Sequence, residues 1–107
     1  MLVVNNFYAY KNAPVTGESK ETSNTQAETL SVQVTGLNGT LKVVGATDMV
    51  AEDFYTLTGF TTAFDLIDEI TEDGIYNFPI DDVGKFKFIA TGAGEDTKVF
   101  CKMTKGV

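Results

Sequence analysis

Residues 73–88 read DGIYNFPIDDVGKFKF, and this segment decides the class of fold. Two short apolar runs flank an acidic turn, and in the second run phenylalanines alternate with lysines. Such alternation places apolar side chains on one face of a β-strand and charged side chains on the other. Pro79 lacks a backbone donor, so it belongs at a sheet edge or a strand end. The segment therefore predicts a strand, a turn and a second strand.

The same alternation continues in the segments on either side. The residues that it places on inward faces are Leu30, Val32, Val34, Leu41, Val43, Phe86, Phe88, Ala90, Val99, Cys101 and Met103. Asn38 and Gly39 form a hairpin signal between the first two of these strands, and the glycine-rich residues 92–96 predict that the last two pair antiparallel. The pattern predicts an all-β fold, a single antiparallel β-sandwich of the jelly-roll or immunoglobulin-like kind.

Residues 64–72 allow two interpretations. On a helical wheel Phe64, Leu66, Ile67 and Ile70 share one arc and the acids share the opposite one, which is typical of a short helix. The threonines of this segment and the strands predicted on both sides favour a β-strand instead. Periodicity alone therefore leaves one short helix near residues 64–72 as an alternative.

The N-terminal part of the chain has a different character from the rest. Residues 2–10 are apolar in both alternating positions, which is typical of a strand that is covered on both sides or docks outside its own domain. Residues 16–28 are polar, small and without a pattern, as in a flexible connection. We therefore predict an N-terminal strand or arm and polar linker in residues 1–28, and the β-sandwich core in residues 29–107.

Composition excludes several classes of protein. A chain of 107 residues forms one domain. It contains no His and its eight basic residues are all Lys, so the commonest general base and the bidentate grip of Arg on phosphate are both missing. The net charge of −7 opposes binding to nucleic acid. No window approaches the ~18 apolar residues of a membrane span, and the N-terminus does not resemble a signal peptide, so we expect synthesis in the cytoplasm.

The individual motifs predict structural roles. Cys101 lies on an apolar strand face, and alternation places the nearby lysines on the opposite face, as expected for a buried core thiol. The acids of residues 65–73 do not have the spacing of a calcium-binding loop, and adjacent Asp81 and Asp82 point apart in a turn. Residues 92–96, GAGED, lack the lysine and helix of a phosphate-binding loop. We predict no catalytic residue, no cofactor and no metal, and therefore no enzyme.

Apolar residues on predicted outer faces indicate a contact with another protein. Ile89 and Phe100 face away from the core residues of their own strands, and Tyr55 is a similar case. The candidate interface residues, including those of the first strand, are Phe7, Tyr8, Tyr10, Tyr55, Ile89 and Phe100. We expect a homo-oligomer or a contact with partner proteins.

The order of these segments resembles the small β-sandwich structural proteins of tailed bacteriophages and prophages. The resemblance is carried by ETLSVQVTG, a turn, FYTLTG and DGIYNFPIDDVGKFKFIATGAGEDTKV, and it covers residues 28–104. Those proteins usually have strands before the Gly-Ile-Tyr strand, which favours β-structure for residues 64–70. The amphipathic acids of that segment depart from the pattern.

The resemblance implies a non-enzymatic protein of the virion, made in the cytoplasm of the host bacterium. Its partners would be other virion proteins, such as a major capsid or tail protein. Within this class we expect a capsid decoration or cement protein that stabilises the head, with a tail or fibre component as the alternative. A carbohydrate-binding or adhesin-like module is a further alternative, which would need exposed Tyr8, Tyr10 or Tyr55 beside a groove.

Overall fold

Two antiparallel sheets form the fold of the described chain, which in this computed structural model comprises residues 1–11, 14–92 and 96–106. The six-stranded sheet has the order β1 (Leu2–Tyr8), β11 (Lys98–Lys105), β4 (Thr29–Thr35), β9 (Gly74–Pro79), β7 (Gly59–Thr61) and β8 (Leu66–Ile67). The five-stranded sheet contains β2 (Gly17–Glu18), β3 (Thr22–Ser23), β10 (Lys85–Thr91), β5 (Thr40–Ala46) and β6 (Tyr55–Thr56). The predicted all-β sandwich is confirmed.

The core lies between the two sheets and is built from the residues that alternation placed inward. The six-stranded sheet contributes the aliphatic side chains of β4 and β11, and β10 contributes the rings of Phe86 and Phe88 from the other side. All eleven predicted inward residues are buried. Burying a large aliphatic or aromatic side chain contributes about 1.5–3 kcal/mol, so this core is the main source of stability.

Short connections cross from one sheet to the other. β4 pairs with β11 and β9, whereas β5 and β10 pair with each other in the opposite sheet. The predicted pairing of β4 with β5, and of β10 with β11, is therefore wrong. A tight turn reverses the chain, but it does not decide whether two strands bond within one sheet or face each other across the core. Residues 93–95 of the predicted glycine-rich turn lie outside the described part of the chain.

Two of these connections touch each other at one end of the sandwich. Gly39 has φ +102°, and a Cβ atom there would lie 1.9 Å from the carbonyl oxygen of Thr91. Gly92 approaches Asn38 in the same way, since a Cβ atom at position 92 would lie 2.7 Å from the carbonyl oxygen of Asn38. Only glycine allows so close a backbone approach, so these positions set how the two connections stack.

Asp73 anchors the same end of the molecule. Its carboxylate accepts hydrogen bonds from the backbone N–H groups of Gly36, at 2.8 Å, and Leu37, at 2.7 Å. These bonds hold the pKa of Asp73 below its ordinary value of 3.8, because they favour the charged form. The contribution of these bonds to the free energy of unfolding is complete above the unfolded-state pKa of Asp73. It is lost as the pH falls through the lowered folded-state pKa.

Residues 64–70 contain a strand and no helix. β8 pairs with β7 in a hairpin, and Ile70 then forms an isolated bridge with Leu41 of the other sheet. The backbone hydrogen bonds of this bridge measure 2.9 Å and 2.7 Å. The strand interpretation is confirmed and the helix alternative is wrong, because residues 66–67 pair with β7 and Ile70 bonds to the opposite sheet.

The N-terminal segment lies against the core strands. β1 pairs with β11 along the edge of the six-stranded sheet, and β2 and β3 both pair with β10. Val15 and Ala27 are buried with the core. The N-terminal segment therefore includes a strand of the sandwich, and within polar residues 16–28 the short strands β2 and β3 extend the five-stranded sheet through their backbone groups.

Asn24 holds this segment in place with its side-chain amide. Nδ2 donates to the carbonyl oxygens of Ala27 (3.1 Å), Ile80 (2.8 Å) and Val83 (3.0 Å), and Oδ1 accepts from the N–H of Ala27 (2.9 Å). Asn24 is itself buried. One amide therefore joins the N-terminal segment to the turn between β9 and β10.

We expect Asn24→Ala to lower the free energy of unfolding by about 3 kcal/mol, because buried carbonyl and N–H groups lose their partner. Urea denaturation of the purified protein measures this loss. Thr25→Ala changes an exposed neighbour and serves as the control, with an expected effect below about 0.5 kcal/mol. Equal stabilities of the two variants would contradict a structural role for the Asn24 amide.

Candidate interaction surface

Tyr8 and Phe100 meet on the outer face of the six-stranded sheet. They are directly opposite each other in β1 and β11, with ring centroids 5.1 Å apart at an interplanar angle of 64°. Tyr8 remains 52% exposed. Two of the predicted interface residues therefore form one aromatic contact on a sheet face. An edge-to-face pair of this kind adds about 0.5–1.5 kcal/mol beyond the area that it buries.

The aromatic contact continues as a row across four strands. Gln33 of β4 is opposite Phe100, and Ile75 of β9 is opposite Gln33. We call Tyr8, Phe100, Gln33 and Ile75 the Phe100 row. Ile75 is 47% exposed and was missed in the sequence, although its alternation with the inward residues Tyr76 and Phe78 could have identified it.

Two shallow depressions flank the Phe100 row. The larger, of about 260 Å³, is lined by Tyr8, Gln33, Thr35, Lys98 and Phe100. The smaller, of about 150 Å³, is lined by Ser31, Gln33, Ile75, Phe100 and Lys102. Each combines an aromatic ring, an amide, a hydroxyl and an ammonium group. These groups can form hydrogen bonds and charge contacts with a surface laid on the sheet.

A second exposed apolar group lies further along the same sheet. Phe60 is opposite Asn77 of β9 and Leu66 of β8, and Phe64 lies in the β7–β8 turn. Phe64 is 85% exposed and has φ +66°, a left-handed conformation that is rare for a bulky residue. The turn is closed by a 3.0 Å hydrogen bond from the N–H of Phe64 to the carbonyl of Thr61.

The other four predicted interface residues do not join this surface. Phe7 points into the core, where its ring centroid lies 6.3 Å from that of Phe86. Tyr10 is half-buried, and its hydroxyl donates a 2.6 Å hydrogen bond to the carbonyl of Gly17. Burial raises the pKa of Tyr10 to about 12. Ile89 and Tyr55 belong to the five-stranded sheet, so the six candidates do not form a single site.

Around Lys85 and Lys87, the outer face of the five-stranded sheet is covered by the chain itself. The ammonium groups of Lys85 and Lys87 lie 5.1 Å and 4.3 Å from the ring centroid of Phe54. Glu21 binds Lys85 at 3.2 Å, and Glu18 forms an ion pair with Lys87. Only 11% and 17% of the two lysine side chains are exposed. The two sheets therefore differ, since one outer face is occupied and the Phe100 row is open.

The described residues contain neither an exposed thiol nor a cluster of metal-ligating side chains. Cys101 is buried, and burial raises the pKa of its thiol, so the reactive thiolate is disfavoured. No group of three or more metal-ligating side chains occurs in this part of the chain. Within the same residues, no helix has the length and apolar character to cross a membrane.

Comparison with known proteins identifies a structural relative by its fold. No protein-family model matches the chain, and no curated protein matches it. The crystal structure of SPBc2 prophage-derived protein YomS superimposes with a TM-score of 0.78, covering 96% of this chain and 95% of that one. The chain has the fold of a prophage-derived protein. Sequence identity with YomS is 18%, so the likeness establishes the shared fold alone. A function has to be argued from the surface of this chain.

Variants of Phe64 test the strained turn. Phe64→Gly and Phe64→Ala both remove the exposed ring, but only glycine adopts φ +66° without a steric penalty. We expect the Gly variant to be more stable than the Ala variant by about 1 kcal/mol. Thermal or urea unfolding measures the difference. If the Ala variant is equally stable or more stable, residue 64 does not hold the left-handed conformation in solution.

Proposed function

We propose that this chain is a non-enzymatic structural protein of a bacteriophage virion, and specifically a capsid decoration protein that stabilises the head. The observation that carries the proposal is the open Phe100 row on one sheet, beside a second sheet whose outer face the chain covers itself. The fold shared with prophage-derived YomS supports the bacteriophage origin.

The composition of the open face suits contact with another protein. Protein interfaces have aromatic anchors near the centre and a polar, hydrogen-bonding surround. Phe100 and Tyr8 provide the rings, while Gln33, Ser31 and Thr35 provide amide and hydroxyl groups beside them. The adjoining depressions are shallow, and a small-molecule site would instead enclose most of its ligand. A flat protein surface is therefore the better partner.

One open face also favours decoration over a tail or fibre role. A subunit of a tube or fibre needs two contact faces, because each copy binds one neighbour in front and another behind. A decoration protein needs one face for the lattice and a second that tolerates water. Here Lys85, Lys87 and Phe54 close the five-stranded sheet, and the acidic net charge of −7 keeps the outward side soluble.

The proposed partner is the major capsid protein, and the proposed location is the assembled virion. Nucleic acid is an unsuitable partner because the net charge is −7 and Arg is absent. A carbohydrate-binding module would need tyrosines around one groove. Tyr8 and Tyr10 do line one depression of about 640 Å³, but the Tyr10 hydroxyl is already bonded to Gly17 and Tyr55 lies in β6 of the other sheet.

Immunogold microscopy and co-sedimentation test the location directly. Particles released from the source strain are labelled with antibody to this protein and separated on a density gradient. We expect label on heads and co-migration with the capsid. Label on tails or fibres would replace decoration with the tail role. Absence from every particle would reject a virion protein and favour the adhesin-like module.

Phe100→Glu tests the surface on which the proposal rests. The substitution removes the aromatic ring at the centre of the row and puts a charge there that must lose its water on docking, so we expect particle binding to weaken at least about tenfold. Val50→Glu is the matched control, since Val50 is 86% exposed and belongs to neither sheet. Circular dichroism checks that both variants unfold cooperatively. Undiminished binding by Phe100→Glu would show that another face attaches to the particle.

A further inference from the structure

Each sheet has three lysines in its strands, but their surroundings differ. In the five-stranded sheet each lysine has a glutamate: Lys42 with Glu69 at 4.0 Å, Lys85 with Glu21, and Lys87 with Glu18. In the six-stranded sheet Lys98, Lys102 and Lys105 all belong to β11. None of these three has a carboxylate of a described residue within 4.0 Å.

Two of the unpaired lysines belong to the open face. Lys98 and Lys102 lie two residues before and two residues after Phe100, so all three side chains share the outer side of β11. Lys98 lines one depression beside the Phe100 row and Lys102 lines the other. The two lysines therefore lie on either side of the aromatic centre, with their Cα atoms about 13 Å apart along the strand.

The six strands of this sheet contain no Asp or Glu. The charged residues of these strands are therefore all lysines, although the chain as a whole has a net charge of −7. Ammonium groups that have no carboxylate partner among the described residues favour a surface that brings carboxylates. The surrounding amides and hydroxyls of Gln33, Ser31 and Thr35 can orient the same carboxylates by hydrogen bonding.

We propose that the face formed by Lys98, Phe100 and Lys102 docks on an acidic protein surface, whose carboxylates pair with the two lysines while an apolar group packs on Phe100. The proposal deepens the decoration role and rests on it, since it states which chemistry the capsid surface must present. Because the rest of the chain is acidic, other orientations are repelled and the protein attaches by this face.

Charge also argues against two other occupants. A second copy placed face to face would bring the lysines of both copies together, and the strands of the six-stranded sheet contain no Asp or Glu in either copy to separate them. A nucleic acid would meet two ammonium groups on this face and repulsion from the rest of a chain with net charge −7. An acidic protein surface of limited extent satisfies the lysines without either penalty.

The test compares two double variants that remove the same charge. Lys98→Gln with Lys102→Gln neutralises the proposed face, and Lys42→Gln with Lys20→Gln neutralises exposed lysines elsewhere. Particles are prepared from a strain in which the gene for this protein has been deleted, and the purified proteins are added back to them. Bound protein is then measured by pelleting the particles at increasing NaCl concentration. We expect the first double variant to bind about tenfold more weakly and to depend less on salt. We expect the second to match the wild type.

Equal binding by the two double variants would overturn the proposal and leave the virion role in place. If the wild type binds no particle, the decoration role fails, and the charge proposal is then decided on the purified protein with poly-L-glutamate as the probe. Addition of poly-L-glutamate should change the amide chemical shifts of residues 98, 100 and 102 in the wild type and not in the Lys98→Gln, Lys102→Gln protein. Absence of these changes would reject the proposal as well.

Two further results would assign the face to a different occupant. Tighter binding to a short DNA duplex than to poly-L-glutamate, lost in the Lys98→Gln, Lys102→Gln protein, would replace the acidic protein with nucleic acid. Self-association in sedimentation equilibrium that the same variant abolishes would replace it with a second copy. Either result overturns the proposal of an acidic protein partner.

Discussion

The close backbone approach at Gly39 sets the arrangement on which the candidate surface depends. A side chain at Gly39 would collide with the carbonyl oxygen of Thr91, so the β4–β5 connection packs directly on the end of β10. The chain leaves β10 there and returns as β11, which pairs with β4 from Thr35 opposite Lys98 to Thr29 opposite Thr104. A shift of two residues in this register would separate Phe100 from Gln33 and move Lys98 and Lys102 away from the depressions that they line. The contact surface is therefore a consequence of how two sheet-to-sheet connections stack.

Alternation predicted which side chains point inward and which point outward, and it did so for a physical reason. Successive residues of a strand face opposite sides whatever the strand pairs with, so the burial of Val32 or Phe88 and the outward direction of Phe100 follow from the sequence alone. Pairing has no comparable local signal. Asn38 and Gly39 specify a reversal, and the reversal is compatible with a hairpin and with a crossing between sheets. The predicted hairpins were wrong for this reason.

The candidate surface was only partly predictable for the same reason. Tyr8 and Phe100 were each identified from their own strands, but their contact depends on the pairing of β1 with β11, which joins residues far apart in the chain. Phe7 was placed among the interface residues because both alternating positions of its strand are apolar. The structure gives this strand an inner side, where Phe7 meets Phe86, and an outer side, where Tyr8 meets Phe100. Phe64 was missed because its exposure comes from the β7–β8 turn.

The open face and the stability of β1 are coupled. β1 is an edge strand that has a pairing partner on one side, β11, and it contains a bulge between Val3 and Asn5. Edge strands open at lower free energy than strands inside a sheet, and opening of β1 removes Tyr8 from Phe100. A partner that packs on both rings binds only the molecules in which β1 is paired. Docking of the proposed partner would therefore stabilise β1, and any change that loosens β1 would lower the affinity by reducing the population that presents the complete surface.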